Sequence, residues 1–554
     1  MNDKLLIMPL GGLEQIGANC TLIGYKDNWI MVDLGISFHN KLGIEVITPD
    51  ISFPINLKHH LKGIFITHAH EDHIGALHYF WSKIKCPIYL TEFSREVLKQ
   101  KLKARKLQYN NNRIICVSPR NQISIDKFTV EFISVSHSVL GSCGLYVKTP
   151  GGNVFHTGDW KIDETPLLGD KVDSKRLQEI GNEGVDCLLC DSTNVLVPGD
   201  IGSENDVKNT IDNLISQYKD KRITITCFAS NIARIDAIFE LAKKHHRKVL
   251  IIGKSIINML NAVSETTYLS KELKYNISSV INEQQASNMK PEQVLMICTG
   301  SQGEDKSALF RLAKGENRII KLNKDDVVLF SSKVIPGNEL YIRNMQNLLA
   351  QKGVEIVTSE TEDYIHVSGH PNKKALKKMY DWLKPKSLIP MHGDPVMLHA
   401  HQKYAEECGI QNTIVISSGD LVSLNKTNGQ LRKVHHNSVI YNVVDGRYII
   451  PINHICLRER SVLSQNGCIG VNFIVNKKTN KIVANSLNIN VHGIYINKIN
   501  LDKIKNNIIK IISGLLIKLN DDIKITDECR KNVIQIINQY CEKKPIIDVN
   551  FYRL

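Results

Sequence analysis

No apolar run in the 554 residues approaches the ~18 needed to span a bilayer, so no transmembrane helix and no membrane partner is expected. The opening MNDKLLIMPLGG lacks a basic segment and a long apolar segment, which argues against a secretory signal and for a cytoplasmic location. There is no internal repeat and no low-complexity tract. The 13 cysteines are odd in number and follow no disulfide framework. Cys187, Cys190, Cys227 and Cys298 lie in apolar strands, as buried thiols in a reducing compartment would. Cys187-Leu-Leu-Cys190 has the spacing of a zinc half-site but no second CxxC partner, and is read as two core thiols. Acidic residues are outnumbered by basic ones, 56 to 70, for a net charge of +14. That balance suits a polyanionic partner such as nucleic acid, and equally a surface rich in lysine.

What is present is an ordinary globular mixture, 42% hydrophobic and 23% charged, long enough for two to four domains of roughly 100–200 residues. Residues 4–35 alternate apolar and polar between glycine turns, a β signal. LKGIFITHAH (61–70) is an apolar strand entering a His-rich turn, and 128–135, 144–149 and 153–157 read as further strands. From about 205 to 355, helical patterns (206–219, 231–245, 339–350) alternate with short apolar strands (223–228, 248–253, 294–299, 326–331). That rhythm is βαβ alternation around a parallel sheet. A helix (372–383), a strand (386–391) and a helix (395–407) follow. Residues 420–434 are polar turn material, with KTNGQ as a hairpin signal. The tail mixes a strand (469–475), two amphipathic helices (501–519, 526–542) and a last strand (546–551).

The densest chemistry is His68-Ala-His70-Glu-Asp72-His73, directly after an apolar strand. Two histidines two apart at a strand end can face one metal, and the Asp-His pair that follows can face a second. Imidazole and carboxylate donors suit zinc or a similar divalent ion. His137, Asp159 and His392 share one context, a ligand-type residue at the C-terminal end of an apolar strand. They would complete a binuclear set with one bridging carboxylate. Ser230 and Asn231, with Arg234 a turn later, sit where a strand gives way to a helix, and Gly300-Ser301-Gln302-Gly303 is a second such turn. Either is a helix cap or an anion nest. His366-Val367-Ser368-Gly369-His370 offers a hydroxyl and two imidazoles in one turn. The basic helix around 95–106 spreads its charges around the axis and is read as a solvated face.

The ordered set Asp33, His68/His70/Asp72/His73, His137, Asp159 resembles the metallo-β-lactamase motifs. Asp191 in CDSTN, His366 in HVSGH and His392 in PMHGD resemble the additions of the β-CASP group. With PLGGLEQIGAN, CFASNIAR, TGSQGE and KKPIIDV, nearly the whole chain is similar to the bacterial ribonuclease J family. The resemblance implies an α/β fold: a metallo-β-lactamase αββα sandwich with an inserted β-CASP lobe and a small C-terminal α/β domain. The expected bounds are 1–204 and 356–445 for the sandwich, 205–355 for the lobe and 450–554 for the last domain, which would support a homodimer.

The resemblance also implies roles. His68, His70 and His137 would bind one metal ion, Asp72, His73 and His392 another, and Asp159 would bridge them. Asp33 would orient the cluster from behind. Two divalent ions are implied, zinc first, with manganese or magnesium as alternatives. Asp72, His366 and Asp191 would be catalytic, His366 as general acid paired with Asp191. Ser230, Asn231, Arg234, Gly300, Ser301, His366, Val367, Ser368, Gly369 and His370 would grip substrate. The activity implied is 5′-to-3′ exonuclease and endonuclease cleavage of single-stranded RNA, preferably with a 5′-monophosphate, in rRNA processing, RNA maturation and mRNA decay. Where the family usually has Ser-Ile-Pro after its His137 counterpart, this chain has Ser-Val-Leu, which puts the stiffness of that loop in question. Three other readings compete. A DNA-processing relative tends to carry an aliphatic residue where His392 stands. A metal-free RNA scaffold would not need the intact ligand set. A small-molecule hydrolase of this fold needs no 205–355 lobe.

Overall fold

A computed structural model describes residues 3–39, 42–53, 60–109, 112–439 and 441–554. The chain forms two compact units, Met1–Phe38 with Ile47–Val439, and His39–Val46 with Ile440–Leu554.

In the larger unit two sheets face each other. One runs Leu431–His436, Asp420–Leu424, Leu5–Gly11, Cys20–Tyr25, Asn28–Val32, Leu61–Phe65, Ile88–Leu90, Ile114–Cys116. The other runs Asn412–Thr413, Ser387–Met391, Cys187–Asp191, Gly152–His156, Cys143–Thr149, Phe128–Ser134, Gln122–Ile125. Ile7, Val32, Phe65, Phe132, Leu145, Leu189 and Val422 fill the space between them. Helices Ser174–Glu183, Lys373–Leu383 and Pro395–Glu407 cover the outer face of the second sheet through Leu177, Ile180, Leu376, Met379 and Ala405. This is the layered sandwich expected. Residues 420–434 are more ordered than a polar turn: two strands pair there antiparallel, and Val422 and Leu424, alternating and fully buried, carry them onto Leu5–Gly11.

Parallel pairing decides where the chemistry collects. Asn28–Val32, Leu61–Phe65 and Ile88–Leu90 are parallel neighbours, as are Gly152–His156, Cys187–Asp191 and Ser387–Met391. Their C-terminal ends therefore open at common edges of the sandwich. Asp33 and His68 leave from the first group, and Asp159, Asp191 and His392 from the second. Loops at such edges are free of the ladder and can carry function.

Between the two stretches of sandwich lies a five-stranded, all-parallel sheet ordered Lys248–Ile252, Val294–Cys298, Arg222–Thr226, Asp326–Phe330, Glu355–Val357. It is apolar on both faces, as a helix-covered parallel sheet must be. One of its two cores runs on into Phe93, Val97, Val139 and Leu140 of the sandwich. The lobe has its own sheet but shares a packed boundary with the sandwich.

In the second unit, Cys468–Asn476 pairs antiparallel with Asn488–His492 and parallel with Ile546–Arg553. Alternating Ile469, Val471, Phe473 and Val475 meet Ile504, Ile508, Ile512 and Leu516, which recur every fourth residue along the helix Lys498–Lys518. A hairpin, Asn442–Asp445 with Tyr448–Pro451, runs across the boundary expected at 445–450. Short strands around a tight turn leave too little periodicity to mark it in the sequence. No helix among the described residues is long and apolar enough to cross a membrane. Cys187, Cys190, Cys227 and Cys298 are all buried and free, and burial pushes the Cys187 thiol up to about 12.

Candidate metal centre

The strand Leu61–Phe65 ends three residues before His68, and His70 opens the short helix Glu71–Ile74 that carries Asp72 and His73. Asp159 is the hub. Its Oδ2 lies 3.3 Å from His73 Nε2, 3.6 Å from His392 Nε2, 3.7 Å from His68 Nε2 and 3.8 Å from His137 Nε2. Asp159 is shared by three donor groups whose ligand atoms lie within 4.8 Å of one another: one is Asp159/Asp191/His370, and two form the dense centre, His68/His70/His137/Asp159 and Asp72/His73/His392/Asp159. Those of the dense centre are the seven residues singled out from the sequence.

The donors suit divalent cations. His68 Nε2 and Asp159 Oδ1 are buried without a hydrogen-bond partner, a costly state that a cation relieves. Burial, helped by neighbouring imidazoles, holds His68 and His137 well below the ordinary histidine range, and burial lowers His70 to about 4. Neutral imidazoles keep the lone pair that ligates. For Asp159, burial alone would favour the acid, but His392 and His73 outweigh it and keep the carboxylate ionised.

Each ring is aimed from behind. His73 Nδ1 donates to Asp33 Oδ2 at 2.7 Å, and Asp33 in turn accepts from the Thr67 amide and hydroxyl, both at 2.8 Å. Asp33 thus stands where a ring-orienting carboxylate was expected. His137 Nδ1 donates to Gly369 O at 2.6 Å. Position 369 needs glycine because a Cβ there would lie 2.7 Å from the His137 ring. The loop after His137, lacking the family's proline, is held instead by buried Val139 and Leu140, by Ser142 Oγ donating to Val139 O, and by Thr91 Oγ1 donating to Gly141 O.

The expected pairing of Asp191 with His366 is corrected. His370 Nδ1 donates to Asp191 Oδ2 at 2.8 Å, and the His370 ring stacks on His392 with centroids 5.5 Å apart. Burial would lower the His370 pKa, but Asp191, by charge and hydrogen bond, outweighs it and raises it to about 9. His366 faces the lobe, where its Nδ1 accepts from Arg234 Nη1 at 2.9 Å. Burial and the Arg234 charge hold it well below the usual histidine range, so it is neutral with its proton on Nε2.

The expected phosphate grips divide. Asn231 Oδ1 caps the helix Ile232–Lys244 at Arg234 N, and its Nδ2 donates to Glu204. Buried Arg234 is committed to Glu204 and to Ser331 O. Both side chains serve the interior rather than a ligand. Ser230 Oγ lies 3.0 Å from His70 Nε2, so it aims a candidate metal ligand. Ser368 Oγ accepts from Asn194 Nδ2 at 2.6 Å and from the His370 amide at 3.3 Å, which leaves its own proton to give. Gly300 has φ +121° and Ser301 is buried. Val367 is buried in the lobe's core. The basic helix spends its charges locally, Lys101 on Glu71 and Arg95 and Lys99 on Glu96.

Two participants escaped sequence reading. Asn19 accepts from His392 Nδ1 at 2.9 Å and donates to Asp72 Oδ2 at 3.3 Å, tying one donor group together. His401 supports the residue after Asp191, its Nδ1 2.8 Å from Ser192 Oγ and its Nε2 2.6 Å from Tyr380 OH. Burial lowers His401 to about 4, so it is neutral when folded and charges only at a cost. The unfolded chain binds this proton near 6.5, so the stabilisation is whole above 6.5 and is lost as pH falls toward 4. At about 1.4 kcal/mol per pKa unit this amounts to roughly 3 kcal/mol. Melting curves from pH 7.5 to 4.5 should show His401→Gln losing less stability on acidification than the parent. Parallel curves would exclude this role.

Comparison with known proteins agrees with this geometry. Residues 14–215 match the model of the metallo-beta-lactamase superfamily and 220–349 that of the ribonuclease J beta-CASP domain. Residues 353–415 match the Zn-dependent metallo-hydrolase RNA specificity domain, and 455–554 the ribonuclease J C-terminal domain. The chain is 34% identical to a ribonuclease J of Sinorhizobium meliloti, over 86% of this chain and 84% of that one. It is 33% identical to a ribonuclease J of Helicobacter pylori, over 88% and 70%, and to ribonuclease J2 of Bacillus subtilis, over 87% and 86%. A crystal structure of a protein of unknown function from Enterococcus faecalis V583 shares the fold, with TM-score 0.54, 16% identity, and 76% of this chain and 100% of that one covered.

Proposed function

The chain belongs to the ribonuclease J family, a group of metal-dependent ribonucleases, and from that premise we propose that it uses two divalent ions, zinc first, to cleave single-stranded RNA. Cleavage runs 5′ to 3′ from the end and also internally, in RNA maturation and mRNA decay. The observation that carries the reading is the pair of donor groups joined at Asp159, with His68 Nε2 and Asp159 Oδ1 otherwise orphaned. Bound there, two ions would polarise one phosphate and supply a hydroxide at neutral pH.

The chain's own residues do the rest. His370, protonated and locked by Asp191 through Nδ1, presents Nε2–H and gives its proton to the departing ribose 3′-oxygen. The acid role expected of His366 thus passes to His370. Neutral His366 offers Nε2–H to a non-bridging phosphate oxygen, and Ser368 offers its hydroxyl to the next. The Gly300–Ser301 turn closes a pocket for the terminal phosphate. The sandwich (1–204 with 356–445) carries the chemistry, the 205–355 lobe clamps the strand, and 450–554 supports a homodimer. Tyr495, Ile517, Ile523 and Tyr552, each at least 71% exposed, supply apolar surface for that contact.

The test uses RNA with a 5′-monophosphate or 5′-triphosphate, with and without chelator. Mononucleotides should appear from the monophosphate end, and chelator should stop all cleavage. Triphosphate ends should react at least ~10-fold more slowly, since a polar misfit in a closed pocket costs about 1–3 kcal/mol. Equal rates on both ends would remove the pocket, and cleavage indifferent to chelator would remove the metals. Light scattering at the monomer mass would remove the homodimer.

A further inference from the structure

Three neighbouring strands of the lobe, Val294–Cys298, Arg222–Thr226 and Asp326–Phe330, release their loops at one edge of the sheet. The first two loops hold Gly300–Gly303 and Ser230. The third holds Lys333, which no motif marks. Its backbone is pinned by buried Gln302, whose Nε2 donates to Lys333 O at 2.8 Å and whose Oε1 accepts from Ile335 N at 2.9 Å and Asn338 Nδ2 at 3.2 Å. The Lys333 ammonium donates to Asn194 Oδ1 at 3.1 Å. Buried Asn194 then donates to Ser368 Oγ at 2.6 Å and to His370 O at 3.1 Å. One amide therefore joins a lobe lysine to the turn that carries the general acid.

The charge on Lys333 is uncompensated. Among the described residues no carboxylate stabilises it, and loss of water around the ammonium lowers its pKa. Its hydrogen-bond partner, the Asn194 amide, is neutral. The side chain nevertheless remains open to solvent, so a ligand can reach it. A cation partly stripped of water, reachable, and without a counter-ion is set to take an anion. In a ribonuclease the abundant anion is the RNA backbone, and a lysine is a point charge suited to non-bridging phosphate oxygens.

We propose that Lys333 is a substrate-binding residue whose ammonium takes the RNA phosphate next to the scissile one, and that Asn194 registers it against the Ser368–His370 turn. The inference rests on the ribonuclease reading above. It makes the lobe a sensor of a second phosphate, so that a polynucleotide is gripped where a lone phosphodiester is not.

The test compares the full-length, metal-loaded parent with Lys333→Met and Lys333→Arg, after melting curves show that all three fold. Each is assayed on a 5′-monophosphorylated oligoribonucleotide over a salt series, and on bis(p-nitrophenyl) phosphate, which has no second phosphate. Lys333→Met should raise KM for RNA by ~10-fold or more with kcat little changed. It should also flatten the plot of log(kcat/KM) against log salt by about 0.7, the share of one single-strand phosphate contact. Lys333→Arg should restore most of the affinity, and turnover of the small diester should stay at the parent's level. An unchanged KM and salt slope in Lys333→Met, with the parent cleaving RNA normally, would overturn the inference. So would an equal loss on both substrates, which marks a structural role. A parent that leaves RNA intact would overturn the ribonuclease reading, and this inference with it.

Discussion

Replacing Asp159 with Ala should reduce RNA cleavage by ~10³-fold or more and lower the bound metal measured by elemental analysis. One oxygen of this carboxylate lies within 4 Å of four ligand imidazoles belonging to two donor groups. No other side chain in the cluster is common to both. Metal polarisation of a phosphoryl group supplies several kcal/mol, and each 1.4 kcal/mol is about tenfold in rate. His68→Ala should resemble it, because that ring is buried with an unpartnered nitrogen. Asp33→Asn is the graded control: it touches His73 from behind, and such orienting partners typically contribute 10–100-fold. If Asp159→Ala kept its metal and lost activity only as far as Asp33→Asn does, Asp159 would be an orienting group and the shared-carboxylate arrangement would fall.

Replacing His370 with Ala should slow kcat by about 10²–10⁴-fold while the metals stay bound, the signature of a lost general acid rather than a lost ligand. The pH profile sharpens this. The acid works while His370 is protonated, so the rate should fall as pH rises through its pKa. The flank should lie at or below about 9, since cations on the neighbouring ligands disfavour a further positive charge. Asp191→Asn removes the group that raises this pKa and should move the alkaline flank to lower pH. His366→Ala should leave the flank in place. An alkaline flank unmoved by Asp191→Asn, or metal loss in His370→Ala, would return the acid role to another residue.

The choice between these two histidines shows where sequence reading ends. His366 and His370 stand four apart in one turn, and either can be written opposite Asp191. The decision lies in backbone geometry: Tyr364 at φ +55° turns the chain, Gly369 lets it press against His137, and His370 then emerges over Asp191. The donor cluster was legible because most of its residues come just after apolar strands, and the parallel strands among them end at common edges. Asn231 and Arg234 misled for the opposite reason. They sit where phosphate grips sit, but Glu204, a helix away in sequence, folds beneath and occupies both. A lysine-rich chain hides Lys333 among its many equals, and Asn19 belongs to no ligand alphabet. The lobe's strands were readable from their apolar runs, whereas its shared core with Phe93 and Leu140 comes from packing between distant segments, which leaves no local period.

The hydrogen bond between Asn19 and His392 spans 373 residues and encloses the whole inserted lobe. Closing a loop of that length costs about 5 kcal/mol in chain entropy beyond a fixed constant, so it forms late, after the lobe has condensed within it. His392 also leaves the ribosome well after His68, His70, Asp72 and His73. A growing polypeptide therefore holds six of its seven donors before the last can close the set, next to the message that encodes it. Completion of the site is tied to translation through the lobe, and the order of synthesis itself delays the appearance of a nuclease until the strand that leads into His392 has been made.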